Sequence, residues 1–464
     1  MSSQKEQSAR LGSEPIPALL KRLSIPAIAG MLAMSVYNLV DTIFISYAVG
    51  IDGVAAVTLA FPLMIVMMAV AGALGMGGAS VISRRLGAGK EKEADHVFSN
   101  MMMLVVLIGV IGVIGSFTLL NPVLALFGAG ETVMAMAYSY IFPITMGTVF
   151  FTFAFTTNAV IRAEGNARFA MITMIIPSVL NIILDPIFII WLNMGVQGAA
   201  IATVISQASV TFMVLKYFIS GNSSLHIRPA LMLPAWRIIK EVSVVGMPAF
   251  ARQVAGSVMM IVINAMLIRY GGEFYVGVFG VVQRIAMITL MPMMGILQGM
   301  QPIVGYNFGA RQFGRMSEAI KLSLKVVTIF SFLVFGAAMV IPDWLMRIFT
   351  QDQAVIDAGV DALRIIFAVA FVIGIQVISG GLYQALGKSR PALILSMARQ
   401  VLFLIPLVLI LAPVIGVWGV WIAFPAADIL AVLLSLYFLR RDRKLFFPEE
   451  RHPEEKENLQ EKHA

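Results

Sequence analysis

The 464-residue chain has no cysteine and only four histidines. Disulfides and thiolate metal sites are therefore excluded, and the histidines form no ligand-spaced cluster. Charge is scarce too: 12% of residues are Asp, Glu, Lys or Arg against roughly a quarter in a soluble globular chain, while 59% are hydrophobic. No G-x-x-x-x-G-K-[ST] phosphate loop, H-E-x-x-H or G-x-S-x-G occurs, and "LGAGKEKE" lacks the spacing of a phosphate cradle. An enzyme and a resident cofactor are accordingly not expected. The ten-residue alternation of a transmembrane β-barrel is also missing. The polar start "MSSQKEQSARLGSEPIPALLKRLS" is no signal peptide, so the first span is expected to stay in the mature protein.

What the chain does have is long apolar runs, each able to cross a hydrocarbon core of about 30 Å as a helix. They predict an all-α polytopic membrane protein of 12 transmembrane helices, at 24–48, 54–82, 97–121, 135–160, 170–192 and 196–218, then 243–268, 275–305, 319–341, 358–386, 391–415 and 417–440. This division gives an N-lobe at 1–218, a cytoplasmic linker at 219–242, a C-lobe at 243–440 and a charged cytoplasmic tail at 441–464. The net charge of +8 does not point to nucleic acid, because Lys and Arg sit at helix ends and not in one patch. They gather on one side, with Arg269 and Arg347 as the main exceptions, and the positive-inside bias then puts both termini in the cytoplasm.

The two halves repeat. Pro26 and Pro248, Gly50 and Gly272, and Gly165 and Gly387 pair at one offset, since 248 − 26 and 387 − 165 both give 222. "RRLGAGK" and "YNFGARQ" each follow the second helix of a half, and "RAEGNAR" and "QALGKSR" the fourth. Six helices return the chain to its starting side, so the lobes share one orientation and face each other across a central cavity, as in an alternating-access transporter.

Polar residues inside the first half single out a site. Asp41 and Asp185 lie about seven residues from the outer ends of the first and fifth helices, and Thr203 about seven from the outer start of the sixth, so all three sit roughly 10 Å below the outer boundary. Tyr37 precedes Asp41 by four residues, and Asn181 precedes Asp185 by four, so each pair shares a helix face. Carboxylates at such depth cost about 2.5 to 3.5 kcal/mol and should face each other or a wet cavity. Two that meet cannot both stay charged easily, and they would share a proton or bind a cation. An oxygen-only set of Asp41, Asn181, Asp185 and Thr203 also suits Na⁺, and nothing here separates Na⁺ from H⁺.

The second half carries Ile263 and Leu407 at the positions of Asp41 and Asp185, with Asn264, Gln283, Arg284, Gln376, Arg399 and Asp428 scattered. Methionines gather in the second helix of each half, and Met64, Met287 and Met291 with Gln283 are candidates for a substrate cavity, since flexible Met surfaces suit varied apolar cargo.

The proline of the first helix followed by "YNLVDTIFIS", then "RRLGAGK", "RAEGNAR", "NIILDPIFI", "VQGAAIATVIS" and "VGMPAF", resemble the multidrug and toxic compound extrusion (MATE) family over nearly the whole chain, in particular its bacterial DinF-like and MepA-like branch. The resemblance implies a monomeric antiporter of the bacterial cytoplasmic (inner) membrane, in contact with its lipids, that expels amphipathic drugs or organic cations against H⁺ or Na⁺. It implies a cation site at Asp41, Asn181, Asp185 and Thr203, with Tyr37 beside it, and a helix-bending proline at Pro26. Some branches carry acidic residues in helices 7 and 10, where this chain has small or apolar residues around Gly256 and Ile373. The alternative within the superfamily is a flippase for lipid-linked saccharides, which would favour a more cationic cavity, and few Lys or Arg lie within the spans.

Overall fold

A backbone that crosses lipid must satisfy its own hydrogen bonds, and in the computed structural model, which describes residues 2–126 and 131–447, all regular structure among the described residues is helical. The long helices are α1 (Ile16–Val49), α2 (Ile51–Gly87), α3 (Glu91–Thr118), α4 (two arms, Glu131–Met146 and Thr148–Ala163), α5 (Ala167–Pro186) and α6 (Gly195–Ile219). The second set is α7 (Trp236–Gly271), α8 (Glu273–Gly309), α9 (Phe313–Val340), α10 (arms Gln353–Ile366 and Ile373–Ala385), α11 (Ser389–Met397 and Ile405–Ile415, joined by a wide turn at Ala398–Leu404) and α12 (Val417–Arg441). Among the described residues, ten helices are long and apolar enough to cross a membrane, or twelve when each bent pair forms one span.

The repeat extends to the helix ends. α2 and α8, α3 and α9, and α6 and α12 each start and stop at the offset of 222. Gly50 and Gly272 hold φ of 76° and 80° between the first and second helices of the halves, a left-handed turn that glycine makes without a steric cost. After α2 and α8 the chain turns back by the same pair of bonds: Lys90 N–H donates to Arg85 O at 2.9 Å, and Gln312 N–H to Asn307 O at 2.8 Å. There the left-handed residue is Gly89 in one half and Arg311 in the other.

The fourth helix of each half is broken, which apolar runs cannot reveal. The arms of α4 bend by 55° at Gly147, one turn after Pro143, and those of α10 by 46° through a tight turn at Ala370–Val372. Helices α1 and α7 also begin earlier than hydropathy suggests, because charged residues near their starts, Lys21 and Arg22 in α1 and Arg237, Lys240 and Glu241 in α7, interrupt the apolar run without ending the helix. α7 starts at Trp236, just after Pro234, inside the stretch read as a linker.

The rest of that stretch is clamped by buried side chains. Asp95 accepts from His226 N–H at 2.9 Å and Arg228 Nε at 3.0 Å, Ser99 Oγ from Arg228 N–H at 3.1 Å, and Asn100 Oδ1 from Ala235 N–H at 2.9 Å. Glu164 accepts from Ser223 Oγ at 2.6 Å and from Ser224 N–H at 2.7 Å. Of the expected tail at 441–464, residues 448–464 lie outside the described residues.

The chain forms two compact units. Arg22–Val254 is the body of one, and the residues from Ala255 onward that of the other, which Leu11–Lys21 joins. In the first unit, small residues on α2, α4 and α6 (Ala56, Ala60, Ala137, Ala199 and Ala200) let the helices approach closely around Ile45, Ile141 and Ile189. This cluster is the packed floor on which the polar site rests.

Candidate functional site

α1 presents Tyr37 and Asp41 one turn apart, and α5 presents Asn181 and Asp185 one turn apart. α5 ends at Pro186, and the chain continues as a wide turn at Ile187–Trp191 before α6 brings back Thr203. Pro186 has no N–H to donate, which suits the departure from regular α-helix there.

The structure brings the five residues together. The carboxyl groups of Asp41 and Asp185 act directly on each other, and Tyr37 lies within electrostatic reach of both. Asn181 Nδ2 donates to Thr203 Oγ1 at 3.3 Å. Asn181 and Asp185 are buried, whereas Asp41, Tyr37 and Thr203 are half-buried. Four oxygens, Asp41 Oδ1, Asn181 Oδ1 and both of Asp185, are enclosed without a well-formed hydrogen bond from the protein. Among the described residues, no Lys or Arg is among the charges that bear on either carboxyl group. Enclosed acceptors without donors are costly; a proton shared between two of these oxygens, or a small cation bridging several, would lower that cost.

Tyr140 of α4 is a further member that sequence reasoning missed. Its ring is buried in the floor cluster, and it feels the charges of Asp41 and Asp185. The available signal was a tyrosine inside an apolar span, where the hydroxyl of a buried ring usually finds a polar partner.

Other candidates lie elsewhere. α1 runs unbroken through Pro26, which is buried 15 residues before Asp41, about 22 Å along the helix. Met64 packs at the edge of the floor cluster. On α8, Gln283, Met287 and Met291 follow at i, i+4 and i+8, but Met287 is 61% exposed and Met291 only 7%. Two residues read as scattered are in fact partners: Arg399 of α11 donates to the carboxylate of Asp428 on α12, through Nη2 at 3.4 Å and through a closer Nε contact.

The family model named MatE matches residues 26–187 and 248–410, once in each half. The chain belongs to the MatE family. It is 27% identical over 438 residues to the multidrug export protein MepA of Staphylococcus aureus (strain NCTC 8325 / PS 47), covering 94% of this chain and 96% of that protein. It is 58% identical to a solved structure of the MATE multidrug transporter DinF-BH in complex with a small molecule, with a TM-score of 0.88 over 95% of this chain and 99% of the other. A MOP superfamily transporter from Pyrococcus furiosus Vc1 (DSM3638), described as having a binding pocket of reverse polarity that suggests a different function, is 28% identical with a TM-score of 0.88, over 94% of this chain and 98% of its own. This MatE protein is thus a polytopic membrane transporter of the multidrug efflux type and not an enzyme. The same fold carries cargo pockets of opposite polarity, so cargo must be argued from side chains.

Proposed function

We propose that this chain is a secondary active exporter of amphipathic or cationic organic compounds, driven by entry of H⁺ or Na⁺ at Asp41, Asn181, Asp185 and Thr203, with Tyr37 and Tyr140 closing the site. The observation that carries this reading is the set of four enclosed oxygens, two of them shared by one carboxyl group, that converge from α1 and α5 without a protein donor. Thr203 of α6 tethers the amide of Asn181, leaving its oxygen free for the ion. Binding and release of the ion favour different states of the transporter, and that difference drives cargo outward. The lobes at 1–218 and 243–440, with 219–242 as the linker between them, would work as a monomer in the cytoplasmic membrane with both termini inside.

The test is efflux of a fluorescent organic cation from proteoliposomes under a pH gradient alone and a Na⁺ gradient alone. Whichever gradient drives efflux names the ion. Asp41→Asn and Asp185→Asn are each expected to lower gradient-driven transport at least tenfold while dye binding persists. Full transport in both variants would remove these residues from coupling.

A further inference from the structure

Arg252 stands alone in the middle of α7. The nearest charged residues along the helix are Glu241, 11 residues back, and Arg269, 17 residues on, about 16 Å and 25 Å away along the axis. A guanidinium at such depth is kept only where it meets a partner or a wet space. It offers five N–H donors in a rigid fork, yet among the described residues its one hydrogen bond goes to Met76 Sδ of α2, at 3.8 Å. A thioether is a weak acceptor.

Other buried or half-buried arginines are better served. Arg399 has Asp428, Arg84 and Arg85 have Glu241, and Arg162 donates to Asn158 Oδ1. No carboxylate among the described residues bears on Arg252. Its repeat position in the first half is Gly30, so the charge is no requirement of helix packing common to both halves.

The fork is nevertheless firmly mounted. Six residues earlier, Gly246 of α7 crosses α2 so closely that a Cβ there would overlap the carbonyl of Ala73, and one on Gly77 would overlap the carbonyl of Val242. Met76 adjoins that crossing, so the guanidinium is turned toward α2 and not outward to lipid. Its side chain is half-buried, which leaves its remaining donors within reach of a ligand.

We propose that Arg252 is an oxyanion subsite, which takes a carboxylate, sulfonate or phosphate group of an amphiphile through its unpaired donors. It rests on the reading of the chain as a drug exporter and extends its cargo from cations to zwitterions. The amphiphile is either cargo or a membrane phospholipid.

Two dyes with one ring system separate charge from shape: rhodamine 6G is an ester and a cation, and rhodamine 19 is its free acid and a zwitterion. Equilibrium binding to the full-length protein is read by fluorescence anisotropy in nanodiscs, without a gradient, so failure of Asp41 and Asp185 to couple would leave the result standing. Arg252→Ala is expected to weaken rhodamine 19 at least tenfold and rhodamine 6G less than threefold, with Arg252→Lys in between. Retained rhodamine 6G binding shows that the variant is folded. Such a loss, equal in phosphatidylcholine and in mixed phosphatidylglycerol discs, assigns the site to cargo. Unchanged rhodamine 19 binding with lower phosphatidylglycerol retention by native mass spectrometry assigns it to a lipid phosphate. Equal changes for both dyes, or no change in dye and lipid alike, overturn the proposal.

Discussion

Each half of the protein buries a carboxylate inside its helices, and the two halves treat it in opposite ways. In the second unit Asp428 of α12 is 2% exposed and paired with Arg399 of α11. In the first, Asp41 and Asp185 meet each other, and three of their four oxygens have no well-formed hydrogen bond. The repeat positions share neither arrangement: Ile263 and Leu407 stand where the first half has Asp41 and Asp185, and Pro177 and Ser206 where the second has Arg399 and Asp428. A paired carboxylate ties two helices together. An unpaired one keeps its valence for something that comes and goes.

If that contrast is right, the largest stability effect belongs to the paired acid. Asp428→Asn leaves the half-buried Arg399 without its counter-charge, and removal of one partner from a buried pair costs up to about 3 to 5 kcal/mol. Thermal unfolding of the purified protein should show this loss, and replacing both residues with apolar ones (Arg399→Met with Asp428→Leu) should recover most of it. Asp41→Asn and Asp185→Asn should unfold no earlier than wild type, because each removes an enclosed negative charge. Equal destabilisation by Asp41→Asn and Asp428→Asn would make the first pair structural too.

A second contrast separates the segment after α6 from that after α12. Glu164, at the end of α4, grips Ser223 and Ser224, and burial pushes its carboxyl up to about 7 against the opposing hydrogen bonds from these serines. Its repeat position is Leu386, and the second unit instead holds its trailing segment by Ser317 Oγ donating to Phe446 O and by Phe446 packing on Tyr383. The folded state therefore binds Glu164's proton more tightly than the unfolded chain. Stability is fullest below the unfolded value of about 4.5 and declines as pH rises toward about 7, by roughly 3 kcal/mol across that window. Glu164→Gln should flatten this slope in unfolding scans from pH 4.5 to 8. A slope that survives the substitution would place the titrating group elsewhere.

Glycines give a smaller difference of the same kind. Gly246→Ala in the first unit forces a methyl group into the backbone of α2 at Ala73, and overpacking of this sort costs about 1 to 3 kcal/mol. Gly336→Ala in α9 of the second unit meets nothing within 4 Å and should gain up to about 1 kcal/mol from helix propensity. Opposite shifts in unfolding temperature are the expected result, and a loss for Gly336→Ala as large as for Gly246→Ala would refute the assignment of a special crossing.

Much of this was legible in advance because membranes make sequence speak locally. The offset of 222 shows in Gly50 and Gly272 since both hold the same left-handed turn, and the shared depth of Asp41 and Asp185 follows from helical rise alone. Features that depend on distant partners were not legible. Asp95, Ser99 and Asn100 look like ordinary polar residues at the start of a span, and their partners lie some 130 positions away. Arg399 and Asp428 looked scattered because spacing says nothing about which faces of α11 and α12 meet. Tyr140 stayed hidden for the same reason.

The smallest expected effect sharpens the first comparison by holding the chemistry constant. Arg347 and Asp343 form an ion pair at 2.7 Å one turn apart on a short helix, with side chains about half exposed at 49% and 55%. It contains the same two residue types as Arg399 and Asp428. Water screens the charges, and both side chains lose freedom to meet, so exposed pairs contribute about 0.2 to 1 kcal/mol. Arg347→Ala should therefore shift unfolding far less than Asp428→Asn. If the two variants moved stability equally, the pair itself would be the source of the energy. A wide gap means that the second unit depends on the Arg399 pair because burial leaves Asp428 no other partner, the condition that Asp41 and Asp185 meet without any arginine.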